Sequence, residues 1–284
     1  MAAIRRHHPD AAITLLTTEP YGRWLADAPW FDRIWSGGRP AWWDVPALLR
    51  LRRRLIGGGF GRVYDLQTSG RSSRYFHLFP RGARPEWSGI ARGCSHPDRQ
   101  AERATLHDID RQIGQLRQAG IAAVPPGDLG WSRAELSGFG LPARFALLVP
   151  GSSPHRPGKR WPAAAYGRLA AALAVRGIAP VVLGAAAERP LAAEIVRASG
   201  ALDLTGRTGF AELAALGRAA EVAVGNDTGP MHLLAAAGCR AVVLFSRESD
   251  PALCAPRGGV VTVLRRPDLA DLAGEDVLAA ALGR

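Results

Sequence analysis

The sequence is poor in cysteine, in long apolar runs and, most markedly, in lysine. Its 284 residues include three cysteines, an odd number with no C-x-x-C spacing, which indicates neither a disulfide framework nor a zinc site. No apolar run approaches the roughly 20 residues of a membrane-spanning helix, and the first residues lack a signal-peptide core. We therefore expect a cytoplasmic protein.

The positive charge of the chain comes almost entirely from arginine. There are 36 basic and 25 acidic residues, a formal net charge of +11, and Lys159 is the single lysine. Either residue serves as a solvated surface cation, so a lone lysine raises the question of whether its site requires a compact ammonium. With 47% hydrophobic and 21% charged residues, the composition favours folded domains over disorder.

The N-terminal half is the basic half. Residues 1–125 hold 19 arginines against 11 acids, and six of the eight tryptophans. This combination predicts an anionic partner, and nucleic acid, anionic lipid headgroups and phosphorylated glycans all qualify. Because no helix-turn-helix, RNP or zinc-finger pattern is present, we expect no nucleic-acid partner.

The C-terminal half alternates short apolar runs with helical stretches rich in alanine and leucine. This pattern predicts a parallel sheet covered on both faces, whose ligands bind at the carboxyl ends of the strands. The predicted strands are 145–149, 180–183, 202–205, 222–225, 241–245 and 260–264. The predicted helices are 162–176, 188–199, 210–220, 228–237 and 270–282.

The N-terminal half has a similar but less regular pattern. Strands are predicted at 12–16, 33–35, 62–66 and 84–87, and helices at 43–56, 70–79 and 98–119. A stretch rich in proline and glycine marks a linker over 126–143, between domains 1–125 and 144–284. We expect an α/β protein of two Rossmann-like domains with a cleft between them.

The start of the chain departs from this pattern. A doubly wound domain normally opens with a strand, but here a predicted helix, Ala2–His7, comes first. A missing central strand would leave unpaired backbone groups. We therefore expect the true reading frame to begin roughly 20–30 residues upstream.

The first candidate motif is the loop Pro150–Pro162, which follows the first strand of the second domain. Gly151, Ser152 and Ser153 can present amides and hydroxyls to a phosphate, and Lys159 adds a mobile charge. The spacing does not fit a Walker A loop, so an ATPase is disfavoured. An ordinary loop leading into the next helix is the alternative.

The second candidate motif runs from a strand through Asp227, Thr228 and Gly229 into a helix. One of the first two residues is expected to cap that helix, whose free amides can hold a diphosphate. His232, in the first turn, is expected to face the same space. A plain helix cap and a half-buried histidine are the alternatives.

The third candidate is Glu188, which follows the strand before Gly184. A carboxylate at this place can accept hydrogen bonds from ribose hydroxyls, as in dinucleotide-binding folds. A helix acid that favours the helix dipole is the alternative.

Together, PGSS…KRWP, GAAAE, LTGRTGFAELAAL and GNDTGPMH resemble the ADP-heptose:lipopolysaccharide heptosyltransferases, glycosyltransferase family 9, across about residues 145–250. The N-terminal half resembles the family more loosely, through HHPDAAITLL and VYDLQTSGRSS. The resemblance implies a GT-B fold without a cofactor, and inverting, metal-independent transfer of a heptose from an ADP-linked donor to a glycan or glycolipid of the lipopolysaccharide core. The second domain is then the nucleotide-sugar side and the first the acceptor side.

The resemblance also implies roles for individual residues. Lys159 stabilises the leaving diphosphate, Glu188 contacts the nucleoside, and Asp227 lies toward the sugar hydroxyls. The implied nucleotide-sugar site comprises Ser152, Ser153, Lys159, Glu188, Asp227, Thr228, Gly229 and His232, and the implied acceptor site comprises Gln67 and Arg71. The family's catalytic base is an Asp that follows the first strand; no residue of this chain matches it, so the base is unknown.

Two further features of the sequence bear on metal and membrane binding. A D-x-D pattern, Asp108 to Asp110, falls in a helical stretch and is interpreted as solvated acids, so no metal is expected. The stretch Trp42–Gly59 joins paired tryptophans to four arginines and predicts a peripheral contact with the inner membrane, against the alternative of a packed helix with a solvated basic face.

Two other functions remain open on the sequence alone. The GT-B fold also hosts nucleotide-sugar epimerases, which need no acceptor. A catalytically impaired nucleotide-sugar-binding protein is the other alternative, because the chain lacks a matching base.

Overall fold

A computed structural model describes residues 1–37 and 39–283. Gly38, in the predicted domain 1–125, and Arg284, in the predicted domain 144–284, lie outside the described residues. The chain forms two compact units, the first Met1–Pro126 and the second beginning at Gly127. None of the described helices is both long and apolar enough to cross a membrane.

The first unit contains five helices and five short strands among its described residues. The helices are α1 (Ala2–His7), α2 (Glu19–Leu25), α3 (Val45–Gly57), α4 (Gly70–Arg74) and α5 (Asp108–Gln118). The strands are β1 (Thr14–Leu16), β2 (Arg33–Trp35), β3 (Arg62–Tyr64), β4 (Glu86–Gly89) and β5 (His96–Pro97). They pair in parallel as two separate sheets, β1–β2 and β3–β4–β5. The opening helix is as predicted.

Two predicted helices of this unit are wrong in length. The helix predicted over 98–119 begins only at Asp108, because the preceding residues form a loop around the Asp98 carboxylate, which accepts hydrogen bonds from Gln100 and Arg103. The helix predicted over 70–79 ends at Arg74 and continues as a 3₁₀ turn.

Helix α3 shows why the predicted helix 43–56 forms. Asp44 caps it, because its carboxylate accepts a hydrogen bond from the Ala47 amide at 3.0 Å. Leu51 and Leu55, four residues apart, lie on one face of the helix and are buried in a core that includes Trp87. Arg53 lies on the opposite, exposed face.

The second unit is a six-stranded parallel sheet in the order β11-β10-β9-β6-β7-β8. Its strands are β6 (Phe145–Val149), β7 (Ala179–Val182), β8 (Leu202–Asp203), β9 (Val222–Asn226), β10 (Ala241–Phe245) and β11 (Val261–Arg265). Its helices are α6 (Ala163–Ala174), α7 (Arg189–Ser199), α8 (Phe210–Ala219), α9 (Gly229–Ala236), α10 (Pro251–Cys254) and α11 (Gly274–Ala281). The predicted parallel sheet is therefore confirmed, with small differences in strand ends.

The sheet is buried on both faces and thereby fixes the position of two loops. All five residues of β6 are buried, with Leu148 in the core on one face and Leu147 in the core on the other. From β6 the chain passes to β7 on one side, while β9 pairs with β6 on the other side. The loops that follow β6 and β9 therefore meet at a switch in strand order, where open α/β sheets bind ligands.

Candidate functional site

A largely buried ion pair joins these two loops. The Lys159 Nζ donates to Asp227 Oδ2 at 2.5 Å, and the two side chains are 12% and 7% exposed. Lys159 lies in a short 3₁₀ turn after β6, and Asp227 directly follows β9. The structure therefore brings together two predicted site residues that are far apart in the sequence.

The Asp227 carboxylate remains ionised in this setting. Burial would raise its pKa, but contacts with His232, Lys159 and Ser249 outweigh burial and lower the pKa to about 2. The His232 Nε2 lies 3.8 Å from Asp227 Oδ1, so the histidine faces the same space, as expected. The Ser249 hydroxyl is close enough to act on the carboxylate, although its oxygen lacks the geometry of a full hydrogen bond.

The start of α9 differs in one respect from the sequence prediction. Thr228 occupies the cap position, but its side chain makes no capping hydrogen bond, and Asp227 bonds to Lys159 instead. Gly229, the first helical residue, is exposed, and a Cβ added to it would meet nothing within 4 Å. Amides at the start of a helix, with the positive end of its dipole, attract an anion.

The serines of the first loop have different environments. Ser152 is buried, and its hydroxyl donates to Arg156 O at 3.3 Å and accepts from Arg160 Nε at 3.1 Å, whereas Ser153 is exposed. Arg160 also donates to Ser152 O at 3.2 Å. Ser152 thus shapes the loop, and Ser153 is accessible to a ligand.

Asn226 is a site residue that the sequence analysis did not identify. It is fully buried, and its Oδ1 accepts from the Trp161 amide and from the Tyr166 hydroxyl, each at 3.1 Å. Its Nδ2 donates to Pro150 O at 2.7 Å and is 3.3 Å from Gly151 O. Asn226 therefore fastens both ends of the loop after β6 to β9. The sequence signal for this residue was an asparagine directly before Asp227, at the end of a predicted strand.

Glu188 lies in the turn between β7 and α7, where its side chain meets Gly151 of the loop that follows β6. Its Oε2 accepts from the Ala185 amide at 2.7 Å, and its carboxylate occupies the space that a Cβ on Gly151 would need. A Cβ on Gly184 would also lie 2.8 Å from Glu188 Oε2. Both glycines thus leave room for the close approach of this carboxylate.

The two predicted acceptor residues belong to the first unit and have different surroundings. Gln67 lines a cavity of about 260 Å³ together with Thr68, Arg103 and other residues of this unit. Arg71 is not among the residues that line it: Arg71 Nη1 donates to Pro40 O at 2.8 Å, and its guanidinium lies over the ring of Trp42.

The D-x-D acids lie on α5, as the sequence indicates. Asp108 pairs with Arg111 on the same helix. Among residues 1–37 and 39–283, no three histidine, cysteine or acidic side chains gather in an arrangement that could hold a metal ion.

Solved structures establish the class of fold. A family 9 glycosyltransferase from Veillonella parvula matches with a TM-score of 0.85 and 21% identity, covering 99% of this chain and 90% of that one. An E. coli ADP-heptose lps heptosyltransferase II matches with a TM-score of 0.77 and 21% identity, covering 99% of this chain and 93% of that one. An E. coli heptosyltransferase solved with ADP matches with a TM-score of 0.75 and 20% identity, covering 97% of this chain and 91% of that one. The predicted α/β fold of GT-B type is confirmed.

The family itself is established from the sequence. The model of glycosyltransferase family 9 (heptosyltransferase) matches residues 48–272, and the chain belongs to this family. Lipooligosaccharide heptosyltransferase 2 of Haemophilus influenzae is 31% identical over 115 residues, which cover 38% of this chain. That match spans 33% of the length of the Haemophilus protein. The resemblance drawn from the motifs is therefore confirmed.

Proposed function

We propose that the chain transfers a heptose, or a related sugar, from an ADP-linked donor to an anionic glycan acceptor such as the lipopolysaccharide core. Membership of glycosyltransferase family 9 supports sugar transfer. The observation that carries the proposal is the Lys159–Asp227 pair beside the uncapped start of α9, at the switch in strand order.

The leaving group determines what this site has to do. When the bond between the anomeric carbon and the diphosphate oxygen breaks, negative charge develops on ADP. The ammonium of Lys159 and the Gly229 amide, at the positive end of the α9 dipole, can stabilise that charge. They are the groups available there, because Pro230 has no amide hydrogen and the Met231 amide donates to Thr228 O.

We assign Lys159 as the catalytic leaving-group stabiliser, with Ser153 and Gly229 along the diphosphate and Ser152 shaping the loop that presents Ser153. The reaction is then metal-independent.

Asp227 and Glu188 are suited to the two ends of the donor. With its pKa lowered to about 2, Asp227 can accept hydrogen bonds from sugar hydroxyls while it is paired with Lys159, because a carboxylate has about four acceptor positions. Thr228 and His232 lie beside it. Glu188, in the turn between β7 and α7, accepts from the hydroxyls of the ribose.

We propose that the transfer inverts the anomeric centre. An acceptor hydroxyl forms its bond to the anomeric carbon on the face opposite to the departing ADP and loses its proton to a base. Gln67, on the cavity of the first unit, is proposed to contact the acceptor. The contact of Arg71 with the acceptor remains a prediction.

A peripheral contact with the cytoplasmic face of the inner membrane would present a lipid-linked acceptor. Trp43 is 87% exposed, and Val45 and Leu49, on the first turns of α3, are also exposed. The helix also carries exposed arginines, a combination that suits an anionic lipid surface. Arg52 and Arg54 have contacts within the protein, with Leu78 O and the Trp35 ring.

Vesicle binding tests this contact. Trp43→Ser with Arg53→Ser is expected to weaken flotation with vesicles of phosphatidylglycerol by about tenfold or more. Val175→Ser, at an 86% exposed apolar residue of the second unit, is the matched control. Unchanged flotation of the Trp43 and Arg53 variant would contradict the membrane contact.

The transfer itself is tested with ADP-heptose and a lipopolysaccharide-core oligosaccharide. We expect ADP release that depends on the acceptor, is unaffected by EDTA, and yields a product whose anomeric configuration, read by NMR, is opposite to that of the donor. Isomerisation of the donor sugar without acceptor would instead indicate an epimerase. Tight donor binding without turnover would indicate a binding protein.

A further inference from the structure

The turn that carries Gln67 is strained. Thr68 has a φ of 45° and is, within the part of the chain that the structure describes, the one non-glycine residue with a positive φ. A β-branched residue in this left-handed region is an outlier that persists only where surrounding contacts hold it. The shape of this turn therefore depends on its contacts more than on local preference.

Arg103 supplies one of these contacts through a forked side chain. Its Nη2 donates to Thr68 Oγ1 at 2.5 Å, and its Nε donates to Asp98 Oδ2 at 2.7 Å. The Asp98 side chain is fully buried, at 0% exposure. A guanidinium can bond two partners in fixed directions, so the buried carboxylate anchors the arginine while the arginine holds the threonine.

The residues on the other side of Gln67 are also held. The Thr68 amide donates to Asp65 Oδ1 at 3.0 Å. From α5, Gln115 Nε2 donates to Asp65 O at 3.1 Å, and Gln112 Nε2 lies 3.4 Å from Leu66 O. The backbone is thus fixed immediately before and after Gln67, at the edge of the cavity that Gln67, Thr68 and Arg103 line.

We propose that Arg103 is a positioning residue that holds Thr68 in its left-handed conformation and so fixes Gln67 against the acceptor. This inference rests on the proposed function, because it takes the cavity as an acceptor site. Arg103 acts through the Thr68 hydroxyl and needs no bond to the substrate.

Two substitutions at Thr68 separate this role from general stability. Thr68→Val keeps the shape and the branched Cβ but removes the oxygen that accepts from Arg103, whereas Thr68→Ser keeps the oxygen. The acceptor Kd, measured by calorimetry on the full chain with a lipopolysaccharide-core oligosaccharide and no donor, should rise about tenfold in Thr68→Val. In Thr68→Ser it should stay within about twofold of the unchanged chain, and the Kd for ADP should stay unchanged in both variants.

Arg103→Lys tests the other end of the bond. A lysine retains the charge beside Asp98 but cannot also reach Thr68 in the same geometry. This variant should raise the acceptor Kd about as much as Thr68→Val. The double variant, Thr68→Val with Arg103→Lys, should bind the acceptor no more weakly than either single variant, because both substitutions remove the same hydrogen bond.

The outcomes distinguish this inference from the proposed function. The inference would be overturned if Thr68→Val left the acceptor Kd unchanged, or if the losses of acceptor affinity were additive in the double variant. It would also be overturned if the affinities for acceptor and ADP fell equally, or if the unchanged chain did not bind the acceptor. If the unchanged chain binds the oligosaccharide but releases no ADP from ADP-heptose, transfer is contradicted, while an acceptor-specific loss in Thr68→Val still supports the role of Arg103.

Discussion

The Glu188 carboxylate fills the space that a Cβ on Gly151 would occupy. These residues come from different loops of the second unit, one after β6 and the other before α7. Their contact fixes where the carboxylate lies relative to the loop that carries Lys159. The same contact makes Gly151 a specific probe of the proposed nucleoside position.

Gly151→Ala should therefore impair donor binding more than stability. The new methyl group displaces the carboxylate end of the flexible Glu188 side chain, so the free energy of unfolding is expected to change by only about 1 kcal/mol. The KM for the donor should rise about tenfold while the KM for the acceptor stays constant. Steady-state kinetics and denaturation measure the two effects.

The control for this change is Gly274→Ala, because a Cβ at Gly274 meets nothing within 4 Å. It should leave both KM values as they are. A donor KM in Gly151→Ala equal to that of the control would contradict the proposed position of Glu188.

Asn226 should be the most costly polar residue of the site to replace. Asn226→Leu leaves the Trp161 amide and Pro150 O without their side-chain partner, and it leaves the Tyr166 hydroxyl only the weaker contact with Val149 O at 3.4 Å. Buried groups left unpaired cost about 1–3 kcal/mol each, so urea denaturation should show a loss of about 3 kcal/mol or more. Tyr166→Phe, which removes only one of these donors, should cost about 1 kcal/mol. A loss in Asn226→Leu no larger than in Tyr166→Phe would contradict this role.

The low pKa of Asp227 makes the stability of the second unit sensitive to acid. Its pKa is about 2 in the folded chain and about 3.9 in an unfolded chain. Because the folded pKa is the lower one, its contribution to stability is present above about pH 4 and is lost as the pH falls to about 2. Full loss corresponds to on the order of 2 kcal/mol.

Thermal unfolding between pH 5 and pH 2 measures this effect. The unchanged chain should lose more stability over this range than Asp227→Asn, which has no carboxyl to protonate. Parallel curves for the two proteins would show that Asp227 is not held ionised by its neighbours.

The sequence predicted most of the second unit because its pattern is local. Apolar runs separated by helical stretches mark each strand, and β6 and β10 begin and end where predicted. The meeting of Lys159, Asp227 and His232 also followed from a general rule, that the carboxyl ends of parallel strands share one edge. The motif resemblance added the family.

The parts that the sequence did not predict depend on contacts between distant residues. The hydrogen bonds of Asn226 join it to residues 60–76 positions away. Thr68 and Arg103 are 35 positions apart, and no local pattern indicates that one holds the other. The helix predicted over 98–119 was wrong because the loop around Asp98 satisfies polar groups that a longer helix would leave unpaired.

Lys159 is the proposed stabiliser of the leaving diphosphate, and its substitution by arginine provides the control for folding. Lys159→Arg retains a charge beside Asp227 and should keep the stability near that of the unchanged chain. Its planar, larger head suits the confined position less well than an ammonium, so turnover should still fall by at least about tenfold. Turnover of Lys159→Arg equal to that of the unchanged chain would show that any cation suffices.

The most direct measurement is acceptor-dependent ADP release by the unchanged chain and by Lys159→Ala, with both substrates saturating and folding checked by circular dichroism. If Lys159 stabilises the departing diphosphate, kcat should fall about 100-fold or more in the folded variant. A folded Lys159→Ala variant whose kcat lies within about threefold of the unchanged chain would show that Lys159 does not stabilise the leaving group.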